Sequence, residues 1–397
     1  MRSRDSVSPP VDLTVLLPVL ALLALGVAFV WSTTHDWISP RWPRQLLFVA
    51  AGLGVVGVIF LVRTARLADL AWPVYLALLG VLVVLPILAT PSSVTSARWI
   101  SMPFGFKLQP SEFMKVGLVL VLARHLQHRG VTNTWKSYAG PFLITAVPWF
   151  FVMRQPDLGS SLVLLPIFVA MVTVSGARPQ HIALVITAAA LLLPAAYFVP
   201  GALKPYQKDR IDAFLTKASA LHMEAREFRQ ARRHDEARQI EREVSRLKEG
   251  TGYQQFYSVV AIGSGGLSGQ GLGQGLLNTS DRPPESHSDF IFAIVGEEWG
   301  LWGTSLVVAL YAWLVGAILG VAHRTREPFG RMVCVGVAAL IGGQALMNLG
   351  IATGLLPVTG LPLPLVSYGG SSIVATLLGV GCVLDVAREK VAVFFES

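Results

Sequence analysis

The carboxylate of Asp289 stands at the mouth of a long apolar run, where it could take a proton from a hydroxyl presented at a membrane surface. It lies in "RPPESHSDFIFAIVGEEWG", residues 282–300, and is the last polar residue before Phe290-Ile291-Phe292. A general base must come within hydrogen-bond reach of the hydroxyl it deprotonates, and this position offers that. An acid in the first turn of a helix is also stabilised by the helix dipole, so the same residue has a purely structural reading. At about 100° per residue, Glu298 faces away from Asp289, and Glu297 lies a quarter turn round and ~12 Å deeper. The three acids form no carboxylate dyad, and Asp289 acts alone near His287.

Three further polar clusters sit at the ends of apolar runs. In "ARWISMPFGFKLQPSEFMK", residues 97–115, Gln109-Pro110-Ser111-Glu112 reads as a helix start. Glu112 and Lys115 are three apart and share a helical face. They are either a satisfied ion pair or part of a functional pathway, because charge within a span is costly and usually faces a cavity. In "MRQPDLGS", residues 153–160, Asp157 either caps the following helix or belongs to a site with Arg154, which suits an anionic ligand. "LPVTGLPLPLVSYGGSS", residues 356–372, puts prolines, glycines and Ser367 at membrane depth. Such irregular backbone is tolerated only where it is buried in protein or lines a cavity.

The elements that carry these clusters are membrane spans. Hydrophobic residues make up 53% of the 397 and charged ones 14%, with a mean hydropathy of +0.57. A soluble chain carries about 25% charge. The apolar runs reach about 20 residues, enough to cross a bilayer core. The fold class is therefore all-α and polytopic. Ten spans are expected, at roughly 11–31, 45–62, 69–89, 110–126, 138–153, 158–175, 181–199, 290–322, 332–352 and 366–387. The first is too long for a cleavable signal and is retained. With the N-terminus inside, inner segments carry thirteen Lys/Arg against six in the short outer segments, which places both termini in the cytoplasm. The net charge of +8 is then loop charge at the lipid surface, and no nucleic-acid partner is implied. Cys334 and Cys382 fall in spans as small hydrophobes, with no disulfide framework.

The chain divides into spans one to seven (1–199), an extracytoplasmic loop (200–289) and spans eight to ten (290–397). Within the loop, 213–250 mixes nine Lys/Arg with seven Asp/Glu at helical apolar spacing, as a solvated insertion or a docking element would. Seven glycines follow in Ala261–Gly275. No Gly-Lys-Ser/Thr accompanies them, so they read as tight backbone turns against the membrane surface or a ligand. Gly316, Gly320, Gly336, Gly342 and Gly343 are expected to face lipid and permit close approach of another helix.

These clusters, in this order among ten spans, resemble the SEDS family (shape, elongation, division and sporulation) of bacterial peptidoglycan glycosyltransferases. "RWI…QPSE..K", "QPDLG", "HSDFIF…GEEWG" and "PLPLVSYGGSS" carry the resemblance, and "GLPLPLVSYGG" is closer to its elongation branch than to its division branch. The chain departs from the family in Ser288, where Thr is usual, and in the insertion 213–250. The resemblance implies polymerisation of lipid II on the outer membrane face, with Asp289 as general base. It implies substrate contacts at Arg98, Glu112, Lys115, Arg154, Asp157, Lys204, Arg210, His287 and Ser367, the cations meeting the pyrophosphate. It also implies a divalent ion (Mg or Mn) beside Asp289, a class B penicillin-binding transpeptidase as partner, and other elongation-complex membrane proteins. A lipid II flippase or a scaffold without chemistry would use the same intramembrane charges differently.

Overall fold

A computed structural model describes residues 11–35, 38–62, 64–88, 98–102, 107–129, 136–155, 157–199, 208, 210–212, 214, 251–275 and 287–395. Lys204 and, apart from Phe214, the insertion 213–250 lie outside them. The helices in order are α1 (Leu13–Thr34), α2 (Trp42–Val62), α3 (Thr64–Leu88), α4 (Pro110–Arg129), α5 (Lys136–Arg154), α6 (Leu158–Val174), α7 (Pro179–Phe198), α8 (Thr251–Ser264), α9 (Ile291–Arg324), α10 (Pro328–Ala352) and α11 (Gly370–Phe395). Helices thus form at all ten expected spans, and α1, α2, α3, α9, α10 and α11 are long and apolar enough to cross a membrane. The protein is a polytopic, all-α membrane protein. Its strand content among the described residues is one two-residue ladder, β1 (Ile100–Ser101) against β2 (Lys107–Leu108).

The chain forms two compact units. The first comprises Met1–Ile182, Val307–Ala345 and Pro364–Ser397. Its helices pack where side chains vanish. A Cβ on Gly52 of α2 would strike the Leu377 side chain of α11, and one on Gly26 of α1 would come within 2.6 Å of the Val366 carbonyl. Pro364–Gly369 is therefore irregular but enclosed. Tyr311 donates its hydroxyl to the Pro364 carbonyl, Gln45 donates to the Ser367 carbonyl at 3.2 Å, and Leu365 adopts φ 66. Three of the glycines expected to face lipid point inward instead. Added Cβ atoms on Gly336 and Gly343 would meet Val119 and Met171, and Pro166, while one on Gly342 would touch Val315. Gly316 and Gly320 have nothing within 4 Å among the described residues.

The second unit comprises Ala183–Leu306 and Leu346–Leu363. The expected eighth span is not continuous, because α9 breaks at Gly300 (φ 62, ψ −150). The glycine-rich stretch runs alongside the break. Gln270 and Gly271 N–H donate to the Glu297 and Glu298 carbonyls at 3.0 and 2.9 Å. Leu301 and Trp302 N–H donate to the Gly266 and Leu267 carbonyls at 2.9 and 3.3 Å. The loop so caps the end of one half-helix and the start of the next, groups that would otherwise lack partners. Glycine is required for this approach: Gly269 has φ 78, and a Cβ there would strike the Glu298 carbonyl. α8, unforeseen in the sequence, similarly caps α10. Gln255 donates to the Ile351 and Leu356 carbonyls at 3.0 and 2.6 Å, and Ser258 to Ala352 at 2.7 Å.

Gly269→Ala therefore loses on the order of 1–3 kcal/mol from backbone strain alone, with carbonyl overlap adding to it. Gly263→Ala, in open space on α8, is expected to be neutral or to gain up to about 1 kcal/mol. Thermal unfolding of the two variants in detergent checks the pair.

Candidate active site

The first unit gathers three of the motifs. Asp157 caps α6, accepting from Ser160 N–H at 3.1 Å, and its other oxygen accepts from Gln109 Nε2 (2.6 Å) and Ser111 Oγ (2.8 Å). Ser371, at the start of α11, accepts from Gln109 N–H at 2.9 Å and donates to the Lys107 carbonyl at 3.2 Å. Polar residues at the starts of α4, α6 and α11 thus satisfy one another. One turn into α4, Lys115 Nζ donates to Glu112 Oε1 and to Gln344 Oε1, both at 2.7 Å. Ser160 Oγ stands 3.4 Å from the same Glu112 oxygen. The Lys115 side chain is 2% exposed, and Glu112 and Gln344 take two of the three hydrogens on its ammonium.

Other expected contacts are placed differently. Arg154 is exposed in the last turn of α5, its guanidinium 5.0 Å from the Phe150 ring centroid. Arg98 lies 6.0 Å from the Trp99 ring, and its Nε is buried without a hydrogen-bond partner among the described residues. Ser367 is buried and serves through its carbonyl, as described above.

The second unit contains Asp289. The chain turns at 287–290 before α9, with His287 buried beside it. Gly360 has φ 77, and the point where its Cβ would stand is 3.5 Å from Asp289 Oδ2 and 3.9 and 4.0 Å from Arg210 Nη2 and Nη1. A carboxylate and a guanidinium therefore converge on a space that any larger residue at 360 would enter. Arg210 is carried by the Lys208–Asp212 segment. Asp212 accepts a 2.5 Å hydrogen bond from the Tyr197 hydroxyl at the end of α7, and Lys208 Nζ lies 5.7 Å from that ring. Glu297 and Glu298 are each 1% exposed, and Gly275 abuts the Glu297 carboxylate.

Sequence reasoning missed Asn348, which is fully buried in α10 and donates through Nδ2 to the Asp289 carbonyl (2.8 Å) and the Leu361 carbonyl (2.6 Å). Its signal was an amide inside the apolar run "ALMNLGIA". It also missed Thr359, whose buried Oγ1 has no partner among the described residues. Among the described residues, no three His, Cys, Asp or Glu side chains gather into a metal site. Asp289 beside a guanidinium fits only a hydrated cation that draws its remaining ligands from substrate phosphates.

The buried pair gives a direct test of its worth. Lys115→Met leaves Glu112 uncompensated and is expected to cost about 3–5 kcal/mol, whereas Lys115→Met with Glu112→Gln costs less. Folded yield and melting temperature of the single and double variants measure this.

Residues 10–392 match the model of the FtsW, RodA and SpoVE family, described as cell cycle protein. Probable peptidoglycan glycosyltransferase FtsW of Geobacter metallireducens is 32% identical over 391 residues, covering 95% of each chain. Stage V sporulation protein E of Bacillus subtilis is 32% identical, covering 95% of this chain and 97% of its own. Peptidoglycan glycosyltransferase MrdB of Escherichia coli is 29% identical, covering 96% and 94%. Among solved structures, a chain of a peptidoglycan synthase complex that coordinates polymerization and crosslinking is similar with TM-score 0.75 and 30% identity, covering 96% and 98%. The rod shape determining protein RodA of Thermus thermophilus is similar with TM-score 0.66 and 28% identity, again covering 96% and 98%. In fold, in the order of its motifs and in its relatives, the chain belongs to the FtsW, RodA and SpoVE family.

Proposed function

We propose that this protein is a peptidoglycan glycosyltransferase that polymerises lipid II, with Asp289 as its general base. The family and the relatives named for that activity support the reaction. The observation that carries the assignment of the base is the convergence of Asp289 Oδ2 and the Arg210 guanidinium on the space over Gly360. There the 4-hydroxyl of the acceptor N-acetylglucosamine gives its proton to Asp289. The freed oxygen pair bonds to C1 of the donor's muramyl sugar from the face opposite the leaving group. The C1–oxygen bond to pyrophosphate breaks with inversion, and its electron pair departs with undecaprenyl pyrophosphate. Arg210 offers fixed donors where that negative charge develops. The family resemblance also assigns Arg98 and Arg154, in the other unit, to the substrate. A Mg or Mn ion held by Asp289 would add neutralising charge at the phosphates. We place both termini in the cytoplasm and the site on the outer face, on the distribution of Lys and Arg. The form "GLPLPLVSYGG" and the likeness to a RodA support a role in elongation; the 32% identity to FtsW keeps division as the alternative.

A broken helix with two buried glutamates would also suit a lipid flippase. In transporters, however, the unwound backbone coordinates the cargo ion, whereas here the loop 265–271 takes up the groups at the break. Purified protein with labelled lipid II separates the readings, by strand formation or by lipid movement. Asp289→Asn keeps shape and capping ability but has no basic carboxylate. Its polymerisation rate is expected to fall about 10²-fold or more, with lipid II binding retained and smaller losses from Glu297→Gln. A rate within about threefold of wild type would end the assignment.

A class B penicillin-binding transpeptidase is the proposed partner, supported by the similarity to a chain from a complex that also crosslinks. Gly316 and Gly320, four apart on α9 with open space above them, permit close approach of a helix. Leu at both positions is expected to reduce co-purification of the partner several-fold, while Leu at buried Gly336 disturbs folding instead. Pull-down yields normalised to folded protein report the difference.

A further inference from the structure

Asn348 has a role that neither the family motifs nor the reaction scheme supplies. Its side chain is 0% exposed, and both Nδ2 hydrogens are committed to main-chain carbonyls, those of Asp289 (2.8 Å) and Leu361 (2.6 Å). The amide orientation is fixed by chemistry, since both neighbours only accept. The two carbonyls belong to the backbone segments that make the site. One carries the carboxylate of Asp289. The other follows Gly360 (φ 77), where the 359–361 segment comes close to Asp289 and Arg210. Asp289 itself lies outside regular helix, in the turn before α9. Hydrogen bonds from α10 can therefore set where its Cα stands relative to that segment.

We propose that Asn348 is a positioning residue for catalysis: it ties the backbone of Asp289 to the Gly360–Leu361 segment, holding the base in register with the acceptor hydroxyl. This rests on Asp289 being the base. Losing the tie frees both segments to shift, and a displacement of about 1 Å at a reacting group costs on the order of 10²-fold in rate. Because Asn348 acts through backbone and not through substrate, the loss falls on turnover and not on binding.

The test uses the full-length protein in detergent or vesicles with lipid II, reading kcat and KM per folded molecule for Asn348→Leu, Asn348→Asp and Asp289→Asn. Asn348→Leu removes both donors; Asn348→Asp is nearly isosteric and, when protonated, restores one. The expected result is a kcat for Asn348→Leu about 10- to 100-fold down, with KM within about threefold. Asn348→Asp should fall between it and wild type. If the Leu variant does not fold, the Asp variant alone decides by the same split between kcat and KM. An unchanged kcat per folded molecule, or a KM that rises in step with the loss, overturns the positioning role. An Asp289→Asn enzyme of normal rate overturns the base assignment itself, so the two failures are told apart.

Discussion

Main-chain amides and carbonyls that leave helical geometry within a membrane must find their partners inside the protein, and α9 obeys that demand at Gly300. The break exposes carbonyls on one side and N–H groups on the other, and the strip 266–271 meets both with its own backbone. A side chain at 269 would strike the Glu298 carbonyl, which explains the glycine at that point of the strip. The half-helix that starts just after Asp289 is thereby fixed at both ends. Asn348 holds the carbonyl at its entrance, and the loop holds its exit. The base proposed at Asp289 would gain accuracy from such rigid support, where a free loop would let it wander.

The polar residues of the first unit show the same economy. Gln109, Ser111, Asp157 and Ser371 spend nearly all their hydrogen-bonding capacity on one another and on helix starts. Lys115 and Glu112 would each be intolerable alone at such burial, and together with Gln344 they are matched. A buried pair of this kind adds little net stability but strongly disfavours arrangements that separate its members. The motifs that looked catalytic in sequence thus have structural work at their centre, and a change in them disturbs the packing of several helices at once.

Much of the fold was legible because apolar length is a direct physical signal, and helices stand at every expected span. Boundaries slipped where local chemistry outweighed hydropathy: α3 starts at Thr64, five residues before the apolar run, and α11 starts at Gly370, after the irregular segment. The break at Gly300 was invisible, since glycine is common in membrane helices and only its loop partner shows that this one leaves helical φ. The faces of Gly336 and Gly343 were misread for a related reason. α10 is apolar on nearly all sides, so its sequence has no periodic stripe to say which way is in. Asp289 and the Glu112–Lys115 pair drew notice because charge in or beside an apolar run stands out, whereas Arg210, in the polar stretch "YQKDR", was named only through the family resemblance. Asn348 and Thr359 were passed over because one neutral polar residue in a span is unremarkable until its partners are seen.

The enclosed segment Pro364–Gly369 bears on the order in which the chain can be completed. Gln45 bonds to Ser367 across 322 residues, and Gln109 to Ser371 across 262. The glycine strip, by contrast, is made only about 30 residues before the helix it caps. During synthesis from the N-terminus, the second closure can form as soon as α9 emerges. The first must wait for the last helix, and until then the Gln45 side chain of α2 and the Gln109 N–H before α4 lack the partners they have in the finished fold. The early spans are therefore provisional until the C-terminal segment arrives, and a chain halted before residue 364 would be left with its oldest helices exposed to quality control.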